Sequence, residues 1–203
     1  MSKKATHEED RIGTRVGLLG ELEVEKCLVE KGWHPVRLDT AQMASNADLL
    51  AVNRKHRVSI QVKTTNAFKK HSHSQSLFLA RSDGYLKEGK SFFNSKNSSL
   101  IADVVVGVSY YPQKSRFVVL PIGLAEKLCQ FHCDYWSSRP TRTESGKRST
   151  SFPLYLCFSK NPEAHKKHHE QVKRNLLKFE NAWDVLLQEP EMLRNRGKWH
   201  LLK

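Results

Sequence analysis

ELEVEKCLVEKGWHPVRLDTAQMASNADLLAVNRKHRVSIQVK, from Glu21 to Lys63, is the stretch of sequence that decides the fold. Its first part has the apolar spacing of an amphipathic helix that ends at Gly32. Its last part alternates apolar and polar residues, as a half-buried strand does. Asp48 stands before a short apolar run, and a turn follows at residues 53–56. The stretch therefore predicts a helix and then three strands, the last two in a hairpin.

Apolar periodicity predicts the elements around this stretch. The helix is expected from about residue 12 to Lys31, and Pro35 favours an edge strand at Trp33–Leu38. The continuous apolar run at Ile101–Ser109 is typical of a central strand buried on both faces. The other expected elements are strands at Leu77–Ala80, Arg116–Pro121 and Phe152–Phe158, a helix at Leu124–Phe131, and a long helix from Pro162 to Leu187.

This order of elements indicates an α/β fold with a mixed central sheet flanked by helices. The 203 residues are expected to divide into a disordered tail (1–11), a core with basic loops (12–158), and a C-terminal helical extension with a basic tail (159–203). We expect a cytoplasmic protein with no membrane association, because the sequence has neither an 18-residue apolar run nor the apolar core of a signal peptide.

The charge balance is strongly basic. The chain has 34 Lys and Arg residues against 21 Asp and Glu residues, which gives a net charge of +13. An excess of this size attracts polyanions and makes their binding sensitive to salt. Solubility alone is the alternative explanation, so the charge agrees with a nucleic-acid partner without establishing one.

Glu21, Asp48, Gln61 and Lys63 form the candidate catalytic set. Glu21 and Asp48 offer the hard oxygen ligands that Mg²⁺ or Mn²⁺ prefers, and Gln61 and the carbonyl of Val62 offer neutral oxygens. Lys63 shares a strand face with Gln61, where an ammonium group can stabilise charge on an attacked phosphate. Each residue also has a simpler reading: a solvated helix face for Glu21, a turn cap for Asp48, and a solubilising strand end for Lys63.

These residues resemble the PD-(D/E)XK nucleases, which include restriction endonucleases and Holliday junction resolvases. Glu21 precedes Gly32-Trp33 by the family's interval, and this spacing favours Glu21 over Glu23 and Glu25. Asp48 in NADLLAV matches the family's aspartate, and Gln61-Val62-Lys63 resembles its Q-x-K variant. The resemblance implies a restriction-endonuclease-like αβββαβ core and one or two divalent metals. Later motifs, including Phe117–Pro121, resemble a group of small prokaryotic proteins with this core.

Two basic segments are candidates for holding nucleic acid, and as simpler readings they are solvated or disordered loops. Their candidate residues are Lys69, Lys70, His71, His73, Arg139, Arg142, Lys147 and Arg148. Cys129, His132 and Cys133 are spaced closely enough for a metal clip, with His168 and His169 as the candidate second pair, but ordinary helix packing is preferred.

The set favours a metal-dependent endonuclease, with DNA as the expected substrate and Mg²⁺ or Mn²⁺ as the expected cofactor. The resemblance also allows a homodimer, because nuclease cores of this class often use two sites to cut two strands. The sequence shows no pattern that identifies a dimer interface. The alternative is a catalytically inactive nuclease fold that binds DNA or serves as a regulatory subunit. Gln61 keeps this alternative open, because it stands where a carboxylate ligand is expected. A third class is a partner-binding subunit that docks through Leu176, Leu177, Phe179, Trp183 and Leu186.

Overall fold

In the computed structural model, the backbone is described for residues 3–38, 47–66, 76–81, 85–87, 90–92, 100, 102–110, 115–137, 153–157 and 166–201, and side chains for 15–38, 47–65, 100, 102–110, 115–135 and 167–201. The elements are, in chain order, α1 (Lys3–Glu30), β1 (His34–Arg37), β2 (Leu49–Val52), β3 (Arg57–Asn66), β4 (Ser76–Arg81), β5 (Tyr85–Lys87), β6 (Lys90–Phe92), β7 (Val104–Tyr110), β8 (Arg116–Pro121), α2 (Ile122–Ser137), β9 (Pro153–Cys157), α3 (Lys166–Leu177), a 3₁₀ turn (Trp183–Leu187), α4 (Pro190–Arg194) and a 3₁₀ turn (Arg196–Lys198).

Five of the described strands form the central sheet in the order β1-β2-β3-β7-β8. Neighbouring strands are antiparallel except β3 and β7, which are parallel. β1 lies at an edge, as Pro35 predicts, and β7 lies inside the sheet, as its unbroken apolar run predicts. The expected α/β architecture, a mixed sheet flanked by helices, is confirmed.

The connection from β3 to β7 carries strands in its described residues. β4 pairs with β9, and β5 pairs with β6, both antiparallel. β4 and β9 confirm the strands predicted near residues 77–80 and 152–158. The crossover helix of the αβββαβ order is not found among the described residues of this connection. Residues 82–99 of this connection include five Ser, two Asn and two Gly, which are weak helix formers.

α1 begins at Lys3, well before the predicted start near residue 12, so the tail expected to be disordered is helical from Lys3 onward. The Lys, Ala, Glu and Arg residues of this segment are good helix formers that apolar periodicity does not register. The helix ends at Glu30, and Gly32 follows it as the predicted stop signal. Gly32 has a φ of 78°, and the N–H of Trp33 donates to the carbonyl of Leu28 at 2.9 Å, which closes the helix end.

The sheet is buried on both faces. On one face, Val24 and Leu28 of α1 belong to a cluster that includes Val104 and Val106 of β7. On the other face, residues of α2 and α3 pack in a cluster that includes Val105. Successive β7 side chains therefore enter opposite cores, which explains why this strand is apolar without alternation.

Asp103, which interrupts the apolar run before β7, ties β7 to β3. Its N–H donates to the carbonyl of Ser59 at 3.0 Å, and its Oδ2 accepts from the N–H and the hydroxyl of Ser59 at 3.0 and 2.6 Å. Arg194 of α4 donates to Oδ1 at 2.8 Å. Asp103 is only 5% exposed, so these partners compensate a carboxylate that burial would otherwise destabilise.

The prediction of a single long C-terminal helix that reaches Leu187 is wrong, because α3 ends at Leu177. The N–H of Val119 in β8 donates to the carbonyl of Phe179, and the N–H of Asn181 donates to the carbonyl of Phe117, both at 3.0 Å. Asn181 has a φ of 53°, a conformation that a helix does not contain. Hydrogen bonds to the sheet edge thus replace those that would continue the helix.

The segment expected as a C-terminal extension forms part of the core. Leu176 belongs to the cluster on the α2 side of the sheet, and Trp183, Leu186 and Leu193 belong to the cluster on the α1 side. The prediction that Leu176, Trp183 and Leu186 form a docking surface for a partner is therefore wrong, because these residues are buried in the core of the chain itself. In the described ranges, no helix is both long enough and apolar enough to cross a membrane.

α1 lies against β3 with no space for a side chain at Gly20. A Cβ at this position would overlap the side chain of Thr64 and come within 2.8 Å of its Cβ atom. A Cβ at Gly17, one turn earlier on the same helix, would meet no atom within 4 Å. Gly20 therefore sets the distance between the helix and the sheet, whereas Gly17 does not.

We expect Gly20→Ala to lower the free energy of unfolding by about 1–3 kcal/mol, because the helix must shift away from β3. Gly17→Ala should raise it by up to about 1 kcal/mol, because alanine favours the helix and meets no obstacle. Urea denaturation followed by circular dichroism measures both values. Equal stability of the two variants would contradict this account of the helix–sheet contact.

Candidate active site

The carboxylate of Asp48 lies against β3 at the open end of the β2–β3 hairpin, away from its turn. The N–H of Asp48 donates to the carbonyl of Ile60 at 2.9 Å, and its Oδ2 accepts the N–H of Val62 at 2.5 Å. Because Val62 stands between Gln61 and Lys63, this bond brings the carboxylate beside the Q-x-K segment. No other hydrogen bond to this carboxylate occurs within the described ranges.

Gln61 and Lys63 lie on one face of β3, opposite the face on which Val62 enters the α1 core. Gln61 is 2% exposed, and Lys63 is half-buried. Burial raises the pKa of Asp48 above its ordinary value, and the Val62 N–H and the charge of Lys63 oppose that shift only in part. A cation beside Asp48 would favour its charged form.

Glu21 stands next to Gly20, the point at which α1 touches β3 at Thr64. Its Oε2 lies 3.8 Å from Nη1 of Arg37, and Nε of the same arginine makes a closer contact with Oε1 of Glu25. The structure therefore brings Glu21 to the helix–sheet contact and places it beside an arginine. Glu25, a competing choice in the sequence, shares that arginine.

Arg37 is a residue that sequence reasoning missed. It is the last residue of β1 and pairs with Leu49, and the N–H of the next residue, Leu38, donates to the carbonyl of Asp48 at 3.0 Å. The signal was present in the alternation of β1: Pro35 and Arg37 share one face, which is the face that α1 covers. A cation on that face needs carboxylate partners, and the helix supplies two.

The chemistry of the predicted donors suits a hard divalent cation. Glu21 and Asp48 offer carboxylate oxygens, Gln61 an amide oxygen, and Val62 a backbone carbonyl, which are the ligand types that Mg²⁺ and Mn²⁺ accept. In the part of the chain that the structure describes, no group of three or more His, Cys, Asp or Glu side chains is arranged to hold a metal. A cation here would need the amide, backbone or water oxygens in addition to carboxylates.

The residues predicted to hold nucleic acid lie outside the described side chains, so their arrangement around Asp48 stays a prediction. They are Lys69, Lys70, His71, His73, Arg139, Arg142, Lys147 and Arg148.

A basic turn lies at the other end of the hairpin. Oδ1 of Asn53 accepts the N–H groups of Lys55 and His56 at 2.9 and 2.7 Å, which gives the turn a fixed shape. An open cavity of about 690 Å³ beside it is lined by residues that include Arg54 and Lys55. This cavity is not the catalytic candidate, because it lies at the hairpin turn and Asp48 lies at the opposite end of β2.

Three histidines meet between α2 and α3. Nδ1 of His132 and Nε2 of His168 are 2.8 Å apart, and the ring of His169 lies 6.4 Å from that of His132. Tyr135 stacks on His168 with a centroid distance of 3.7 Å. His132 is 2% exposed, so it is not available to stack on a nucleic-acid base. The sequence spacing of Cys129, His132 and Cys133 pointed to a cluster here without showing that the histidines pair with each other.

Comparison with known proteins finds similarity in structure but not in sequence. Neither a family model nor a curated protein matches this sequence. The structure is similar to that of the bacterial homing endonuclease I-Ssp6803I, with a TM-score of 0.52 and 12% sequence identity over 90% of this chain and 97% of that chain. At this identity the likeness concerns the fold alone, which is a nuclease-like fold.

We expect the histidine cluster to make stability depend on pH. Burial and the neighbouring His169 lower the pKa of His132 to about 4, from an ordinary 6.5. The unfolded chain therefore binds a proton at this position more readily than the folded chain does. The contribution of His132 to the free energy of unfolding is fully present above pH 6.5 and is lost as the pH falls towards 4. The difference amounts to about 3 kcal/mol for one such histidine.

His132→Asn keeps a polar group near the Nδ1 position but does not titrate in this range. Urea denaturation between pH 7 and pH 4 should show a shallower loss of stability for this variant than for the wild type. His200→Asn is the control, since His200 is exposed. The same pH dependence in wild type and His132→Asn would contradict the assignment.

Proposed function

We propose that this protein is a metal-dependent endonuclease that hydrolyses phosphodiester bonds in DNA. The observation that carries the proposal is the bond from the Val62 N–H to Asp48, which sets a carboxylate beside Gln61 and Lys63 in a nuclease-like fold. The net charge of +13 supports a polyanionic substrate. The name of the structural neighbour, a homing endonuclease, supports a nucleic acid as that substrate.

The chain's own residues have distinct roles in this proposal. Asp48 and Glu21 would hold Mg²⁺ or Mn²⁺ together with Gln61 and the carbonyl of Val62. When bound, such an ion would supply Lewis acidity towards the phosphate and would make a bound water easier to deprotonate. Lys63 stabilises the negative charge that develops on the phosphate, or orients the attacking water. Val62 fixes the orientation of Asp48 through its N–H, so the carboxylate needs no rearrangement when substrate binds.

The test is a cleavage assay on supercoiled plasmid, branched DNA, single-stranded DNA and RNA, with Mg²⁺ or Mn²⁺. We expect Asp48→Ala and Lys63→Met each to slow cleavage by on the order of 10²-fold or more, because the first removes a ligand of the metal ion and the second removes the charge beside the reacting phosphate. Lys55→Met is the matched control, since it removes the same charge from the far end of the hairpin and should leave the rate unchanged. Cleavage that survives both Asp48→Ala and Lys63→Met would sink the proposal.

An inactive nuclease fold that binds DNA is the second candidate. The contact between Glu21 and Arg37 favours it, because a guanidinium beside this carboxylate competes with a metal ion. Gln61 also provides no negative charge. This candidate is supported if the wild type binds DNA in a salt-dependent way, cleaves none of the substrates, and binds equally well as Lys63→Met.

A further inference from the structure

We propose that Arg37 and Glu25 are a positioning pair that controls how strongly Glu21 can bind a divalent cation. This inference rests on the proposed function, since it concerns the same metal site. Glu25 makes the closer contact with Arg37, and Glu21 lies at 3.8 Å, beyond hydrogen-bonding distance. Glu25 is therefore the main counterion of the arginine and limits its competition for Glu21.

The geometry follows from helix spacing and strand alternation. Glu21 and Glu25 are four residues apart on α1, so their side chains lie on one face of the helix. Arg37 reaches them from β1, which runs beside the strand that begins after Asp48. All three side chains are partly buried, with exposed fractions of 26% for Glu21, 23% for Glu25 and 31% for Arg37. Partial burial reduces solvent screening between them.

The guanidinium of Arg37 is not fully satisfied. Its Nη2 atom is buried and has no hydrogen-bond partner among the described residues. A buried donor without a partner is unfavourable, so the arginine gains by taking a second acceptor. If Glu25 is replaced by glutamine, the carboxylate among the described residues that remains within 4 Å of Arg37 is that of Glu21. Full pairing of Arg37 with Glu21 would then compete directly with a metal ion.

This arrangement gives opposite expectations for two residues that are not themselves proposed as ligands. Neutralising Glu25 transfers Arg37 to Glu21 and weakens cation binding. Removing the charge of Arg37 removes a cation that competes for Glu21 and strengthens the binding of a metal ion. We expect each change to shift affinity roughly two- to fivefold, the range of a partly exposed ion pair.

The experiment titrates purified protein with Mn²⁺ and measures free Mn²⁺ by electron paramagnetic resonance. Glu25→Gln should bind two- to fivefold more weakly than Glu23→Gln, the matched control, which removes the same charge from the same helix. Arg37→Met should bind more tightly than the wild type. Thermal unfolding of every variant shows that the changes in affinity do not come from loss of structure.

The double variant Glu25→Gln/Arg37→Met decides whether Glu25 acts through Arg37. It should bind Mn²⁺ as Arg37→Met does. An equal effect of Glu25→Gln with and without Arg37 would overturn the inference, since Glu25 would then act on the metal directly. Equal affinities of Glu25→Gln and Glu23→Gln would overturn it as well.

Asp48→Ala separates failure of this inference from failure of the proposed function. If the wild type binds Mn²⁺ and Asp48→Ala does not, the metal site is supported. The comparison of the single and double variants of Glu25 and Arg37 then tests the positioning pair by itself. If the wild type shows no binding that depends on Asp48, the metal site of the proposed function fails and the positioning pair fails with it.

Discussion

The parallel pairing of β3 with β7 is the constraint on which the rest of the structure depends. Parallel strands have no hairpin to fix their register, and a long connection joins these two. Asp103 fixes the register by bonding Ser59 through both its backbone and its side chain. Ile60 then lies opposite Val104, and Lys63 lies opposite Gly107. A shift of one residue would turn the apolar residues of β3 away from the α1 core.

With β3 fixed, the candidate site is assembled by its neighbours on either side. The β2–β3 hairpin brings Asp48 to the N–H of Val62, and the close approach of Gly20 to Thr64 brings α1 to the same strand. The carboxylates of the site lie near two positively charged side chains, Lys63 and Arg37, which occupy different positions. Lys63 shares the strand with Gln61, whereas Arg37 faces the helix and is held by Glu25. In the function proposed above, the balance between these charges would govern the binding of a metal ion.

Much of the fold follows from the sequence because its signals are local. The alternation from Val58 to Val62, the unbroken apolar run of β7 and Gly32 at the end of α1 each identify an element by short-range pattern. The break in the C-terminal helix does not, because it depends on backbone bonds from residues 179–181 to β8, a partner far away in sequence. The early start of α1 was missed for a different reason: polar helix formers leave no apolar periodicity.

Some features of the candidate site also follow from local sequence patterns, whereas others depend on tertiary packing. Strand alternation predicts that Gln61 and Lys63 share a face, and the hairpin predicts that Asp48 lies near them. The bond from Val62 to Asp48 needs the hairpin register, and the contacts of Arg37 with Glu21 and Glu25 need the packing of α1 on β1. The sequence names the acidic residues, but only tertiary packing shows which of them an arginine already engages.

The location of a bound Mn²⁺ ion tests the central claim most directly. Anomalous X-ray scattering from a crystal soaked in Mn²⁺ would locate the ion without dependence on activity. The account predicts a peak within about 2.5 Å of a carboxylate oxygen of Asp48. Absence of a peak at Asp48, with Mn²⁺ bound instead at the cluster of His132, His168 and His169, would contradict it.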